Sequence, residues 1–227
     1  NADLQQGGLE LESYQLALYG EWRLPVDAYL SGVAGLGYHQ LESSRSVAVG
    51  ALSSTAEADY DAWSGQAAME LGRSFAVHQS PNSISRMTPL FGLEYAHLQR
   101  SSFAEDATAG LNLRVENDRQ ASLRSAMGGR LSHARLTQGG MRIEPALELA
   151  WVHEFLDTGA SVDAMLVATP GNGFRVAGPK MERDRARLGV GLTMQLSDTA
   201  ALELGYRGEY ASTDDYHDLS ATFRMAW

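Results

Sequence analysis

The sequence predicts an all-β chain, an antiparallel transmembrane β-barrel. Three observations carry that prediction. About nine segments alternate apolar and polar side chains, the last of them running to the final residue; the links between them are short and long in turn; and aromatic residues gather near segment ends. Successive side chains of a strand point to opposite faces, so a period of two marks a strand with two different surroundings. Segments of ~10 residues, separated by turns, are the pattern of an outer-membrane barrel.

The elements follow in chain order. "YQLALYGEWRL", "VDAYLSGVAGLGYH", "WSGQAAMELGRSF", "MTPLFGLEYAHL" and "SLRSAMGGRLS" are the first five strands. In "RIEPALELAWVHEF", Ile143, Leu147, Leu149 and Trp151 oppose Glu144, Glu148 and Glu154. In "RARLGVGLTMQLS", Leu188, Val190, Leu192 and Met194 oppose Arg187, Gly189, Gly191 and Thr193. "ALELGYRGEY" sets Leu202, Leu204 and Tyr206 against Glu203, Gly205 and Arg207. "HDLSATFRMAW" closes the chain, with Leu219, Ala221, Phe223, Met225 and Trp227 on one face. "RLPVD", "HQSPNSISR", "TQGGMR" and "LSDTAA" read as short hairpin connections. The links near 39–59, 100–120 and 156–184 read as long polar loops, and 212–216 as a brief one.

Alternation alone leaves two surroundings open. In a soluble sandwich the oily face is the core; in a membrane barrel it meets lipid and the charged face lines the lumen. The polar face here mixes Arg, Glu, Gly and Ala, as a confined lumen requires. Tyr38, Trp63, Tyr95, Trp151, Tyr210 and Trp227 fall near strand ends, where interfacial belts belong. Short and long links alternate, as in outer-membrane barrels. These features favour the membrane. The 227 residues suit one large domain, and no linker divides them. A net charge of −10 argues against a nucleic-acid partner. The chain has no cysteine, which excludes disulfides and thiolate metal sites. No G-x-S-x-G elbow is present. "DDYHD" (Asp214, Asp215, His217, Asp218) has the residue types of a metal site, yet its place in a brief loop reads as a solvated tip. His153 and Glu154 are adjacent, hence on opposite strand faces, and read as interfacial and luminal respectively.

The stretches "SYQLALYGEW", "VDAYLSGVAGLGYHQLESSR", "MTPLFGLEYAHL" with "FAEDATAGLNLRV", "ASLRSAMGGRLS", "IEPALELAWVHEF", "FRVAG" and "RARLGVGLTMQLSDTAALELGYRGEY", with the aromatic terminus, resemble the C-terminal translocator, or β-domain, of the classical autotransporters of type V secretion. The resemblance covers nearly the whole chain. It implies a twelve-stranded barrel in the outer membrane of a Gram-negative bacterium, with an N-terminal helix through the pore, that exports and anchors a passenger domain fused before it. Implied partners are outer-membrane lipid, periplasmic chaperones, the barrel-insertion machinery and the passenger. No cofactor and no enzymatic activity of the barrel itself are implied. With about nine strands recognisable, residues 1–227 are expected to form a single barrel domain that lacks the helix and first strands of the pattern. Closure with ten strands, recruiting residues 1–8 or a segment such as 162–168, is the alternative.

Two groups of residues stand out. Leu219, Phe223, Met225 and Trp227 match the recognition signal of the insertion machinery, which pairs edge to edge with a terminal strand; they also read simply as lipid-facing side chains. Arg124, Arg130, Arg187, Arg207 and Arg224 are expected to share the lumen with Glu70, Glu94, Glu148, Glu203 and Glu209. Cross-strand ion pairs that hold register are one role for them; a hydrated lining for a passing segment is the other. The competing function is a self-contained outer-membrane barrel acting as porin, adhesin or surface enzyme through its long loops. A soluble β-sandwich binding module stands third.

Overall fold

Pairing begins at the short turns. Pro25 sets φ at the head of the first one, and Val26 and Asp27 then take positive φ (62° and 57°), the left-handed conformation that turns a tight hairpin. For β-branched Val26 that backbone is unfavourable. The next hairpin holds it: Arg73 Nε donates to Val26 O at 3.1 Å, and Ser74 N donates to Asp27 O at 2.9 Å. Gly140, at φ 81°, does the same work in the turn between Thr137 and Met141 without that strain.

The computed structural model describes residues 7–49, 52–107, 112–169 and 171–225. Among them the strands are β1 (Gly8–Leu24), β2 (Ala28–Val49), β3 (Leu52–Arg73), β4 (Phe75–Ser80), β5 (Ser83–Arg100), β6 (Phe103–Ala104), β7 (Asp106–Ala107), β8 (Leu113–Val115), β9 (Asp118–Leu136), β10 (Arg142–Glu154), β11 (Gly159–Leu166), β12 (Gly173–Lys180), β13 (Asp184–Gln195), β14 (Ala200–Tyr210) and β15 (Asp215–Met225). Nine long strands form one antiparallel wall in the order β1-β2-β3-β5-β9-β10-β13-β14-β15. These are the nine alternating segments of the sequence. Strand β4 continues β3 past Ser74 along β5, so "HQSPNSISR" is a hairpin rather than a bare turn. Among the described residues, β1 pairs only with β2 and β15 only with β14.

The wall curls. On β10, Glu148, Ala150, Val152 and Glu154 are buried, while Leu147, Leu149 and Trp151 between them are exposed. The crowded face is therefore concave, and it is the polar one. The convex face carries Leu16, Leu18, Met69, Phe91, Met127, Leu131, Leu149, Val190, Leu204 and Leu219 in the open. Soluble monomers rarely leave so large an apolar face uncovered, and such faces mark contact with a membrane or another protein.

Register fixes the tilt. One hydrogen-bonded row runs Trp22, Leu30, Leu71, Phe91, Met127, Trp151, Ala186, Tyr210, Asp215. Trp22 lies two residues from the turn end of β1, whereas Asp215 lies ten residues from the turn end of β15. The row thus slides eight residues over eight pairings. At ~3.3 Å along a strand and ~4.8 Å between strands this is a tilt of about 35°, as membrane barrels adopt. Between Tyr14 and Leu24 the convex face of β1 then spans a height of about 27 Å, close to the apolar band of such barrels.

The loop end differs from expectation. The link near 39–59 is not a loop: β2 and β3 run as 22-residue strands with unbroken register from Ala28↔Arg73 to Val49↔Leu52. The links near 100–120 and 156–184 contain a second, four-stranded sheet, ordered β12-β11-β8-β6. The segment at 162–168 is thus largely strand, but in this outer sheet and not in the wall.

Candidate functional site: the concave wall and the last strand

Register, not proximity in sequence, assembles the charges of the concave wall. Glu94 on β5, Arg124 on β9, Arg187 on β13 and Glu209 on β14 close a ring. Arg124 donates from Nη2 to Glu94 Oε2 (2.7 Å) and from Nη1 to Glu209 Oε2 (3.1 Å). Arg187 donates from Nε and Nη2 to Glu209 Oε1 (2.8 and 2.6 Å) and from Nη2 to Glu94 Oε1 (2.8 Å). The intervening concave-face residues of β10 are Ala150 and Val152, whose short side chains let the guanidiniums lie across them. Arg187 and Glu209 are both buried, and two forked guanidiniums between two carboxylates satisfy each other's charge.

A second cluster sits nearer the turns. Arg130 donates from Nε and Nη2 to Glu148 Oε2 (3.0 and 2.7 Å), and from Nη2 to Glu70 Oε1 (3.3 Å). Tyr29 OH accepts from Arg130 Nη1 at 3.3 Å and donates to Glu70 Oε1 at 2.6 Å. The Tyr29 ring lies on Gly72, its cross-strand partner: a Cβ on Gly72 would come within 2.5 Å of the ring. Sequence reading placed Glu70, Glu148 and Arg130 on one face but did not find Tyr29. The missing signal is the register that sets a tyrosine opposite a glycine.

The remaining charges are looser. Arg224 donates to Glu203 at 2.7 Å on the exposed side of the last hairpin. Arg207 has no carboxylate within 4 Å among the described residues; it stands opposite Asp218 in register, in a shallow groove of about 250 Å³ floored by Gly189, Gly191 and Gly205. Glu154 ends β10 and accepts from Ser122 Oγ, Leu123 N and Leu156 N.

Convex residues make a rim at the loop end. Tyr14, Tyr38 and Trp63 share one row. Asp184 Oδ1 takes Trp151 Nε1 (2.9 Å) and lies 2.8 Å from His153 Nδ1. The members of "DDYHD" disperse: Asp214 pairs with Arg185, and His217 packs on Tyr206 and Tyr210.

On β15, Leu219, Phe223 and Met225 all point from the convex face and are 82%, 61% and 57% exposed. Register aligns them with Tyr206, Leu202 and Ala200 of β14. Trp227 lies outside the described residues.

Among the described residues this wall offers three things: an apolar outside of bilayer height, a polar inside with its charges largely paired, and an edge of β15 that has no strand beside it. Comparisons with known proteins agree. Residues 1–207 match the family model described as autotransporter beta-domain. Two extracellular serine proteases of Serratia marcescens are similar, one 28% identical over 222 residues and 98% of this chain, the other 27% identical over 225 residues and 97% of it. The chain spans about a fifth of the length of each, 20% in both cases.

Proposed function

This chain belongs to the autotransporter β-domain family, barrels of the Gram-negative outer membrane, and on that premise we propose that it anchors and exports a passenger domain fused N-terminal to it. The observation that carries the proposal is the opposition of the two faces: a convex surface built for lipid over about 27 Å, and a concave one whose arginines and carboxylates satisfy each other. A passing chain meets hydrated charge there and finds few unpaired groups to stick to. No nucleotide or cofactor enters the mechanism; folding of the passenger outside and assembly of the barrel supply the driving force.

Insertion proceeds through β15. Periplasmic chaperones hold the unfolded chain, and the insertion machinery then pairs with the free edge of the last strand by β-augmentation, reading Leu219, Phe223, Met225 and Trp227. The gap between β1 and β15 is filled by strands encoded before β1, and a helix from the same region occupies the pore. The serine protease activity in the names of the Serratia proteins belongs, in this reading, to the part of those proteins outside the match, and the barrel is not an enzyme.

The test is the intact mass of the newly made precursor, with protease added to whole cells. A precursor far above 24.6 kDa whose extra domain is cut from outside supports export. A precursor larger only by a signal peptide sinks the proposal and leaves a self-contained barrel. Truncation before Phe223 should block insertion; normal insertion of that variant refutes the role of β15.

A further inference from the structure

The upper part of the β2–β3 hairpin keeps the register of the wall, so its two faces continue the wall's faces. Arg45 shares the concave side with Tyr29, and Tyr60 shares it with Glu70, without a bulge between. That side of the hairpin is not open. Arg45 donates from Nε and Nη2 to Glu105 (3.0 and 2.6 Å), and the carboxylate, 10% exposed, also takes Leu113 N at 2.9 Å. The rings of Tyr60 and Phe103 stack at 4.3 Å with an 11° angle. Arg100 lies over Phe103 at 5.4 Å. Beneath them Ala56 and Ala58 are almost fully buried, and β7 pairs with β3 at Ala56↔Ala107 and Glu57↔Asp106.

From this anchor the outer sheet continues toward the loop that follows β10. Strand β8 pairs with β6 and with β11, the strand that follows β10, and Glu116 N donates to Asp163 O. The span from β3 to β10 is three strand pairings, roughly 14 Å at ~4.8 Å each. A layer of β6, β8 and β11 therefore runs from one part of the wall to another, fastened on the side that faces the lumen.

We propose that this layer is a latched cover over the loop-side mouth of the barrel, with Arg45–Glu105 and Tyr60–Phe103 as its latch. The inference rests on the translocator reading above: a passing chain displaces the cover, and the latch closes it again afterwards. The fastening is suited to that work. One forked ion pair, one ring stack and two backbone pairings release together at modest cost, unlike the continuous ladders of the wall.

The full-length protein with its passenger, carrying Ala56→Cys and Ala107→Cys, tests it. The two positions are directly opposite in an antiparallel pair, within disulfide reach, and residues 1–227 contain no other cysteine. Oxidised, this variant should expose at least about tenfold less passenger than the same variant reduced, with equal barrel assembly by heat-modifiable gel mobility. Equal export in both states overturns the cover and leaves the translocator standing; absence of export in the unsubstituted protein overturns both. Arg45→Ala with Glu105→Ala gives a second measure that needs no disulfide. Its conductance in a planar bilayer should rise about twofold or more, and an unchanged conductance overturns the latch.

Discussion

Glu209→Ala and Glu203→Ala lie six residues apart on one face of β14, yet their costs should differ severalfold. Glu209 is 5% exposed and takes three hydrogen bonds, two from Arg187 and one from Arg124. Its removal leaves Arg187 buried against Glu94 alone. Breaking a buried ion pair from one side costs ~3–5 kcal/mol; a remaining partner and a wet lumen put this case at about 3 kcal/mol. Glu203 instead meets Arg224, whose side chain is 69% exposed, where pairs contribute ~0–1 kcal/mol. Guanidinium titration of the barrel folded into lipid vesicles, read by tryptophan fluorescence, measures both. Glu209→Ala combined with Arg187→Leu should recover part of the loss, because the stranded charge is gone. Costs for the two glutamates within about 1 kcal/mol of each other would refute the claim that the ring is a buried, closed network.

Gly72→Val should displace the Tyr29 ring and break its bonds to Glu70 and Arg130, costing about 2 kcal/mol in the same titration, whereas Tyr29→Phe should lose only the hydroxyl's share. Leu219→Arg on the lipid face of β15 should cost ~2–4 kcal/mol if its depth is near the bilayer midplane; a cost near zero places it at the interface. In the outer sheet, the Arg175 guanidinium holds the Asp163 carboxyl below the usual carboxylate range. A depressed folded value means the pair's contribution is complete above the ordinary aspartate pKa of ~3.9 and fades as pH falls through the folded one. Protection factors of the β11–β12 amides, corrected for the intrinsic pH dependence of exchange, should therefore fall only below about pH 4, and Asp163→Asn should remove that fall.

The bilayer made most of the wall legible. Wherever a strand crosses lipid, one face must be apolar, so β1, β10, β13, β14 and β15 announce themselves at period two. Above the membrane that requirement lapses. "ESSRSVAV" keeps no regular period, and in "LSSTAEADYD" the alternating apolar residues Ala56, Ala58 and Tyr60 lie on the concave side, the reverse of the wall below, so the long extensions of β2 and β3 read as loop. Strands β6, β7 and β8, two or three residues each, are too short to carry any period. Side-chain parity put Arg124 and Glu209 on one face, but their bond joins positions 85 residues apart and needs register that only the assembled sheet defines. The same gap hid the pairing of Arg224 with Glu203.

The row that begins at Trp22 and ends at Asp215 fixes more than a tilt. Each pairing along it is locked by its neighbours, and a slip of one residue would turn oily side chains into the lumen. The wall thus cannot shorten or lengthen to suit a different bilayer; its apolar height is a rigid gauge set by hairpin geometry. Lipids must conform to the protein, and the bacterial outer membrane, thinner than most, is the one whose lipids conform with the least distortion.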